Sequence, residues 1–599
     1  MGTIALMIVA FVGYLLAYHT YGKFLARRIF RLRDDATPAS VELEDGIDFV
    51  PTRKGIIFGH HYTSIAGTGP IVGPAIGIIW GWVPAMLWVF VGSIFMGAVH
   101  DFGAVVISMR NKGKSISECA ANVLGYRVKY ILFAIIFLLL MIVIAIFGVV
   151  ISAVFARFPQ SVFPVWMEIP IAVALGWAIY KRKGHVVGLT VAAVFLMYVT
   201  VVMGHFIPVK LTGIGPLSTT AVWVIILLVY AFIASSLPVT TLLQPRDYIN
   251  AWQLFVAMIL LVFGVLASGF TGKLPLVAPA VSPAPEGAPP MLPFLFITIA
   301  CGAISGFHSL VGSGTTSKQI ASERDALAVG YGSMLLEGVL AILVIIAVAA
   351  GIGMAYETEG GILTGSAAWQ QHYSSWAASK GLGSKITAVV IGSANMIGSL
   401  GVPVELGIVV MGVFIASFAG TTLDTSTRLQ RYIVGELFSS IGVKCMTGRY
   451  AATAFAVLTA ALLAFATGAD GKGALMLWPM FGAGNQLLAC LALLVITNYL
   501  ASKGGYGFIT TAIPCLIMAI ITAWAVVANE LNFVSKAIDP AASAKSVQYW
   551  LLAVINGMVL VLAAWTMFEG ILALARHLGS NQSSDSAGDG PGGQPVGLC

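Results

Sequence analysis

Charge is scarce in this chain. Only 10% of its 599 residues are Asp, Glu, Lys or Arg, while 58% are hydrophobic. A soluble domain carries about 25% charged residues. Too little charge is present to coat a water-facing surface, which excludes a soluble globular protein and implies a polytopic membrane protein. Cysteine is scarce too. Cys119, Cys301, Cys445, Cys490, Cys515 and Cys599 form no CxxC and no metal spacing. Most lie in apolar runs and read as small buried hydrophobes. Walker A, HExxH, GxSxG and CxxCH sequences are missing. ATP therefore does not drive the protein directly, and neither enzyme chemistry, a resident metal nor a cofactor is expected. The net charge of +7 marks the cytoplasmic face of a membrane protein and does not imply nucleic-acid binding.

What is present is hydrophobic length. Hydropathy predicts an all-α chain of about fifteen transmembrane helices, at 3–26, 56–79, 83–108, 131–155, 165–180, 186–207, 219–237, 251–270, 292–313, 326–355, 386–420, 450–468, 474–498, 508–528 and 549–575. The segment 165–180 is short for a span, and 386–420 is long enough to be broken or double. The first apolar run precedes Lys23, Arg27, Arg28, Arg31 and Arg33. It reads as a retained helix with its N-terminus outside. If every span crosses, 24 of the 32 basic residues fall on the inner side. That bias supports the layout and puts the C-terminus in the cytoplasm. One transporter domain is expected over residues 1–577, with a core at about 56–420 and additional helices at 450–577. A disordered cytoplasmic tail is expected over 578–599.

Two stretches are wrong for continuous helices. In His60 to Pro74, Gly67, Gly69 and Gly73 weaken helix, and Pro70 and Pro74 lack a backbone donor. Irregular backbone at membrane depth survives only where protein or a wet cavity satisfies it. Thr63-Ser64-Ile65-Ala66-Gly67-Thr68-Gly69 recurs as His308-Ser309-Leu310-Val311-Gly312-Ser313-Gly314. In the spans that follow, Gly92 to Gly97 echoes Gly332 to Gly338. The charge-derived topology runs the two halves in opposite directions, as in inverted-repeat secondary transporters. Ser64–Gly69 and Ser309–Gly314 are therefore expected to meet near the midplane around a shared cavity. A third likeness, Phe232 to Ser235 with Phe414 to Ser417, points both copies inward. It is either chance or the sign of a miscounted span.

Thr63, Ser64, Gly67, Thr68 and Gly69, with His308, Ser309, Gly312, Ser313, Gly314, Thr315 and Thr316, are the candidate substrate residues. Freed carbonyls at a break can hold a cation, and a half-helix N-terminus attracts an anion. Small residues at these positions also serve helix packing. His60, His61, His100 and Asp101 are candidates for ion or proton coupling, since imidazole and carboxylate relay protons near neutral pH. His100 and Asp101 are consecutive, however, and are not expected to face one way on a helix. Glu337 lies well inside a span, Glu405 lies in a broken stretch, and Thr421, Thr422 and Asp424 lie near the inner mouth. Asp424 gates, binds a cation, or pairs with Arg428. Asp247 beside Arg246 reads as a cytoplasmic ion pair. Asn395 and the Asn485-Gln486 pair read as polar glue between helices.

Residues Gly59 to Pro74, Met96 to Phe102, Phe307 to Gln319 and Phe418 to Thr425 resemble the carbon starvation protein A family of bacterial inner-membrane transporters. The resemblance covers most of residues 1–500. It implies a five-plus-five inverted repeat of LeuT type and uptake of peptides or pyruvate under carbon starvation. Both substrates carry a carboxylate, and only the peptide adds an amine. Protons or sodium would drive the uptake. The partners expected are a small-molecule substrate and the lipid bilayer, with the oligomeric state open. A transition-metal transporter and a membrane nutrient sensor are the competing readings.

Overall fold

The computed structural model describes residues 2–182, 184–379, 382–540 and 545–587. Lipid offers the backbone no hydrogen bonds, so the apolar runs fold as helices that satisfy themselves. Helix α1 (Gly2–Ala17) continues through π turns to Ile29. A short α2 (Ala39–Glu42) precedes α3 (Lys54–Ala66) and α4 (Gly69–Gly77). Then come α5 (Trp82–Gly92), α6 (Ala98–Arg110), the short α7 (Ile116–Val123) and α8 (Tyr126–Arg157). Helices α9 (Val162–Gly176), α10 (Val186–Phe206), α11 (Thr219–Ser236) and α12 (Leu243–Phe270) follow. The second interrupted segment is α13 (Met291–Thr298) and α14 (Gly306–Gly314), followed by α15 (Ser333–Ala349). A hairpin of β1 (Tyr356–Thr358) and β2 (Gly361–Leu363), with Tyr356 opposite Leu363, leads to α16 (Gly365–Tyr373), α17 (Trp376–Ser379) and α18 (Leu382–Gly398). The chain ends in α19 (Val404–Ser440), α20 (Arg449–Ala464), α21 (Trp478–Ser502), α22 (Ile509–Ile538) and α23 (Ser546–Ala587). Of the tail expected to be disordered over 578–599, residues 578–587 continue α23, and residues 588–599 lie outside the described residues.

Thirteen helices among the described residues are long and apolar enough to cross a membrane. The interrupted α13–α14 pair and the short apolar α20 are the other two of the fifteen expected segments. The short 165–180 prediction widens to Pro159–Lys181. The long 386–420 prediction divides into α18 and α19 at Ser399–Pro403, where Gly401 has φ +86°. Helix α19 then runs on past residue 420, because its polar stretch Thr421–Arg431 is buried by neighbouring helices. Asn395 near the end of α18 donates to the Gly351 and Ala355 carbonyls beyond α15. The start of α11 lies against the loop beyond α20, with Ser218 Oγ donating to the Asp470 carbonyl at 2.8 Å, so α11 runs antiparallel to α20 and parallel to α19. The third likeness is not an inverted pair. Its two copies are neighbours, with Ser235 Oγ donating to the Asp424 carbonyl at 2.9 Å.

Helices α3–α4, α15, α19 and α21 are buried over most of their length, whereas α1, α10 and α23 expose most of theirs. A helix apolar all round belongs at the centre or against lipid. Here the polar side chains are concentrated on the central set.

Candidate functional site

The first break forms where Gly67 adopts φ +21°, ψ −147° between α3 and α4. A Cβ there would fall 2.3 Å from Thr422 Oγ1, and one on Gly69 would fall 2.3 Å from Cys301 Sγ. Only glycine permits that backbone and those approaches. Gly73 packs in the same way against the Thr298 carbonyl and Ile299. The two interruptions therefore touch directly.

The second break lies elsewhere than the repeat suggested. Residues 299–305 leave the helix, and His308 to Gly314 are continuous helix on one side of it. The expected meeting of Ser64–Gly69 with Ser309–Gly314 is narrowed accordingly: α3 packs against α14, and the breaks themselves touch where Gly69 meets Cys301. The freed backbone explains the shift, because its partners come from distant elements. Gln486 Nε2 donates to the Phe296 carbonyl at 3.1 Å and Trp88 Nε1 to the Ile299 carbonyl at 2.9 Å. The Gly302 N–H donates to Glu337 Oε1 and the Phe307 N–H to Asn485 Oδ1, both at 2.9 Å. Every such group must be paired at membrane depth. The Gly-Ser echo does pack face to face: a Cβ on Gly338 would lie 3.0 Å from Ser93 Oγ, and one on Gly97 2.8 Å from Met334.

A chain of titratable groups runs from this junction. His100 Nδ1 is 2.9 Å from Asp101 Oδ1, and His308 Nδ1 is 2.9 Å from Asp101 Oδ2. His308 Nε2 is 3.4 Å from Glu337 Oε2. All four side chains are fully buried. Consecutive residues are about 100° apart on a helix, yet the Asp101 carboxylate reaches sideways to both imidazoles. With Nδ1–H of His308 given to Asp101, its Nε2 and the Glu337 carboxylate are both acceptors. In that tautomer a single proton placed between them serves both.

A second group lies along α3. His60 Nδ1 is 2.6 Å from Asp247 Oδ2, and Gln319 Nε2 donates to His60 Nε2 at 3.2 Å. A single neutral tautomer of His60 satisfies both contacts. Ser64 Oγ lies 3.4 Å from Asp247 Oδ2 and 3.3 Å from Thr425 Oγ1. Thr63 donates to the Gly59 and Asp247 carbonyls at 2.9 and 3.3 Å. His61 Nδ1 meets Thr316 Oγ1 at 2.8 Å. Asp247 is thus no cytoplasmic ion pair with Arg246. It is a buried partner of His60, missed because its sequence neighbour supplied a ready explanation.

A third group corrects Asp424, which pairs with Arg246 and not with Arg428. Tyr230 OH lies 2.7 Å from both Asp424 Oδ2 and Arg246 Nη1. Arg246 Nε is 3.5 Å from Glu168 Oε2, and Ser417 donates to Glu168. Asn250 Nδ2 donates to Thr421 Oγ1 at 3.2 Å, and Thr422 to the Phe418 carbonyl at the same distance. Glu168, inside the 165–180 segment, carried the same intramembrane-acid signal as Glu337, and Arg246 was assigned to Asp247, whereas Tyr230, Gln319 and Asn250 had no distinguishing local signal. Glu405 sits exposed in the first turn of α19, away from these groups, because Pro403 starts that helix at its end. Ser309, Gly312, Ser313, Gly314 and Thr315 occupy the far side of the second break. Ser309, Ser313 and Thr315 bond backbone carbonyls of their own helix. Gly312 faces Val105 and Gly314 faces Leu429. Thr68 closes the start of α4, its carbonyl accepting from Ile71 and Val72.

The chain matches the model of the carbon starvation protein CstA family over residues 2–525. It is 34% identical over 557 residues to the peptide transporter CstA of Campylobacter jejuni, covering 87% of this chain and 79% of that one. It is 33% identical over 549 residues to the peptide transporter CstA of Mycobacterium tuberculosis H37Rv, covering 83% and 71%. The pyruvate/proton symporter BtsT of Escherichia coli K12 is 31% identical over 573 residues, covering 86% and 79%. Among solved structures, a mutant manganese transporter of Eremococcus coleocola aligns with a TM-score of 0.48 at 12% identity, covering 89% and 99%. By the family match and by these identities, the chain belongs to the carbon starvation protein CstA family.

Proposed function

We propose that this multi-pass transporter is a secondary active importer of small carboxylate-bearing nutrients, peptide or pyruvate, coupled to protons. One observation carries the reading: His308 Nε2 and Glu337 Oε2, both fully buried, lie 3.4 Å apart where the two helix breaks meet, placed to pass a proton between them. Buried ionisable groups in a membrane are costly and mark ion or substrate paths. The half-helices α4 and α14 begin at this junction, and helix N-termini favour a substrate carboxylate. The contact between the breaks supports an inverted-repeat core of LeuT type. The basic residues support a bacterial inner-membrane orientation with the N-terminus outside. The relatives named as peptide transporter and pyruvate/proton symporter support both substrate classes.

Reconstituted protein should accumulate labelled pyruvate or a labelled dipeptide when an inward proton gradient is imposed. A sodium gradient should fail. No accumulation of either substrate under any gradient overturns the proposal.

A further inference from the structure

Three ligand-type atoms converge at the junction of the breaks. Cys301 Sγ, His308 Nε2 and Glu337 Oε2 all lie within 4.8 Å of one another. They come from three separate pieces of chain: the second break, α14 and α15. Metal bonds of about 2.0–2.3 Å place ligand atoms roughly 3–4 Å apart, so one ion fits among them with small side-chain movements. His308 Nε2 and Glu337 Oε2 are buried and make no well-formed hydrogen bond.

The surroundings already orient these ligands. His308 gives its other nitrogen to Asp101 at 2.9 Å. An imidazole held by a carboxylate in this way is fixed in tautomer and is a stronger metal ligand. Glu337 anchors its second oxygen on the Gly302 N–H at 2.9 Å. Gly69 carries no side chain where one would displace the Cys301 thiol.

We propose that Cys301, His308 and Glu337 form a binding site for a borderline-soft divalent cation of the Zn²⁺ type. One thiolate, one imidazole and one carboxylate suit Zn²⁺ or Co²⁺, whereas Mg²⁺ and Ca²⁺ take oxygen ligands. The fourth position stays open. Binding releases two protons, one from the Cys301 thiol and one from the His308–Glu337 pair. The ion ties the second break to α15 and occupies the place of the coupling proton. Zn²⁺ is therefore an inhibitor of transport, a consequence that rests on the proton reading above.

The test is a titration of the purified full-length protein with Co²⁺, read by absorption. One equivalent should bind, with tetrahedral d–d bands and a thiolate-to-cobalt charge-transfer band, and Zn²⁺ should displace it. Cys301→Ser should lose the charge-transfer band, while Cys445→Ser, at an exposed cysteine, should keep it. Asp101→Asn should keep the band but weaken binding about 10- to 100-fold. Two protons should leave the wild type per Zn²⁺, a readout that needs no variant to fold. Absence of the bands, release of no protons, or a thiolate band surviving in Cys301→Ser overturns the site. The spectra do not depend on uptake, so a failed transport reading leaves them standing. Loss of Zn²⁺ inhibition in Cys301→Ser is the arm that joins the two.

Discussion

At the scale of single residues, the account rests on contacts that tolerate no added atom. Gly69→Ala puts a methyl 2.3 Å from Cys301 Sγ, and overpacking of this kind costs about 1–3 kcal/mol. Thermal unfolding in detergent should show that loss. Pairing it with Cys301→Gly, which removes both the Sγ and the Cβ that lies 2.4 Å from the added methyl, should recover much of it, so the double-mutant cycle should be strongly non-additive. An additive cycle would mean the breaks do not touch there. Asp101 holds both His100 and His308. Asp101→Asn removes the carboxylate that fixes the His308 tautomer, so proton-driven uptake should fall at least about tenfold with substrate binding largely kept. Equal loss of binding and uptake would assign Asp101 to the substrate instead.

At the scale of elements, the two breaks differ in how the sequence announces them. Gly67 ends α3 and Pro70 sits in the first turn of α4, so that break is made by local chemistry and was legible, whereas Gly73 and Pro74 lie inside a continuous α4. The second break, around Ala300-Cys301-Gly302-Ala303, contains no proline and one glycine. Gln486, Trp88, Glu337 and Asn485 hold it open from distant positions. No local pattern displays such partners, so the repeat placed the break one turn or more too late. The amides of Asn485 and Gln486 were read correctly as glue, but not as the cap of a break. Asn485→Ala leaves the Phe307 N–H without its acceptor, which should cost about 1–3 kcal/mol in thermal unfolding. No change would show that the amide is already satisfied otherwise.

The loop before α3 is anchored differently. Asp48 accepts from Arg428 at 2.7 Å, Arg431 at 2.8 Å and Tyr432 at 2.7 Å. Burial pushes its carboxyl up, but Arg428, Arg431, Lys318 and the Tyr432 hydroxyl outweigh burial and hold it at about 2. The folded value lies below the ordinary 3.8. The anchor is therefore complete above pH 3.8 and is lost as pH falls through about 2. Pepsin cleavage of the loop over 43–52 should rise across that window in the wild type. In Asp48→Asn it should already be fast at the top of the window.

At the scale of the whole molecule, composition settled the class, and the basic residues suggested the layout. The fifteen apolar segments, the inward polar groups and the candidate histidines were all visible in order along the chain. Their pairing was not. Asp247 with His60 and Asp424 with Arg246 join positions nearly two hundred residues apart. The central claim is that His308 and Glu337 pass the proton that travels with substrate. The most direct measurement is luminal pH in proteoliposomes carrying an internal dye, under an inward pyruvate gradient. Wild-type protein should acidify the lumen as pyruvate enters. Glu337→Gln should exchange pyruvate with no acidification beyond protein-free vesicles. Acidification in Glu337→Gln equal to wild type would contradict the account.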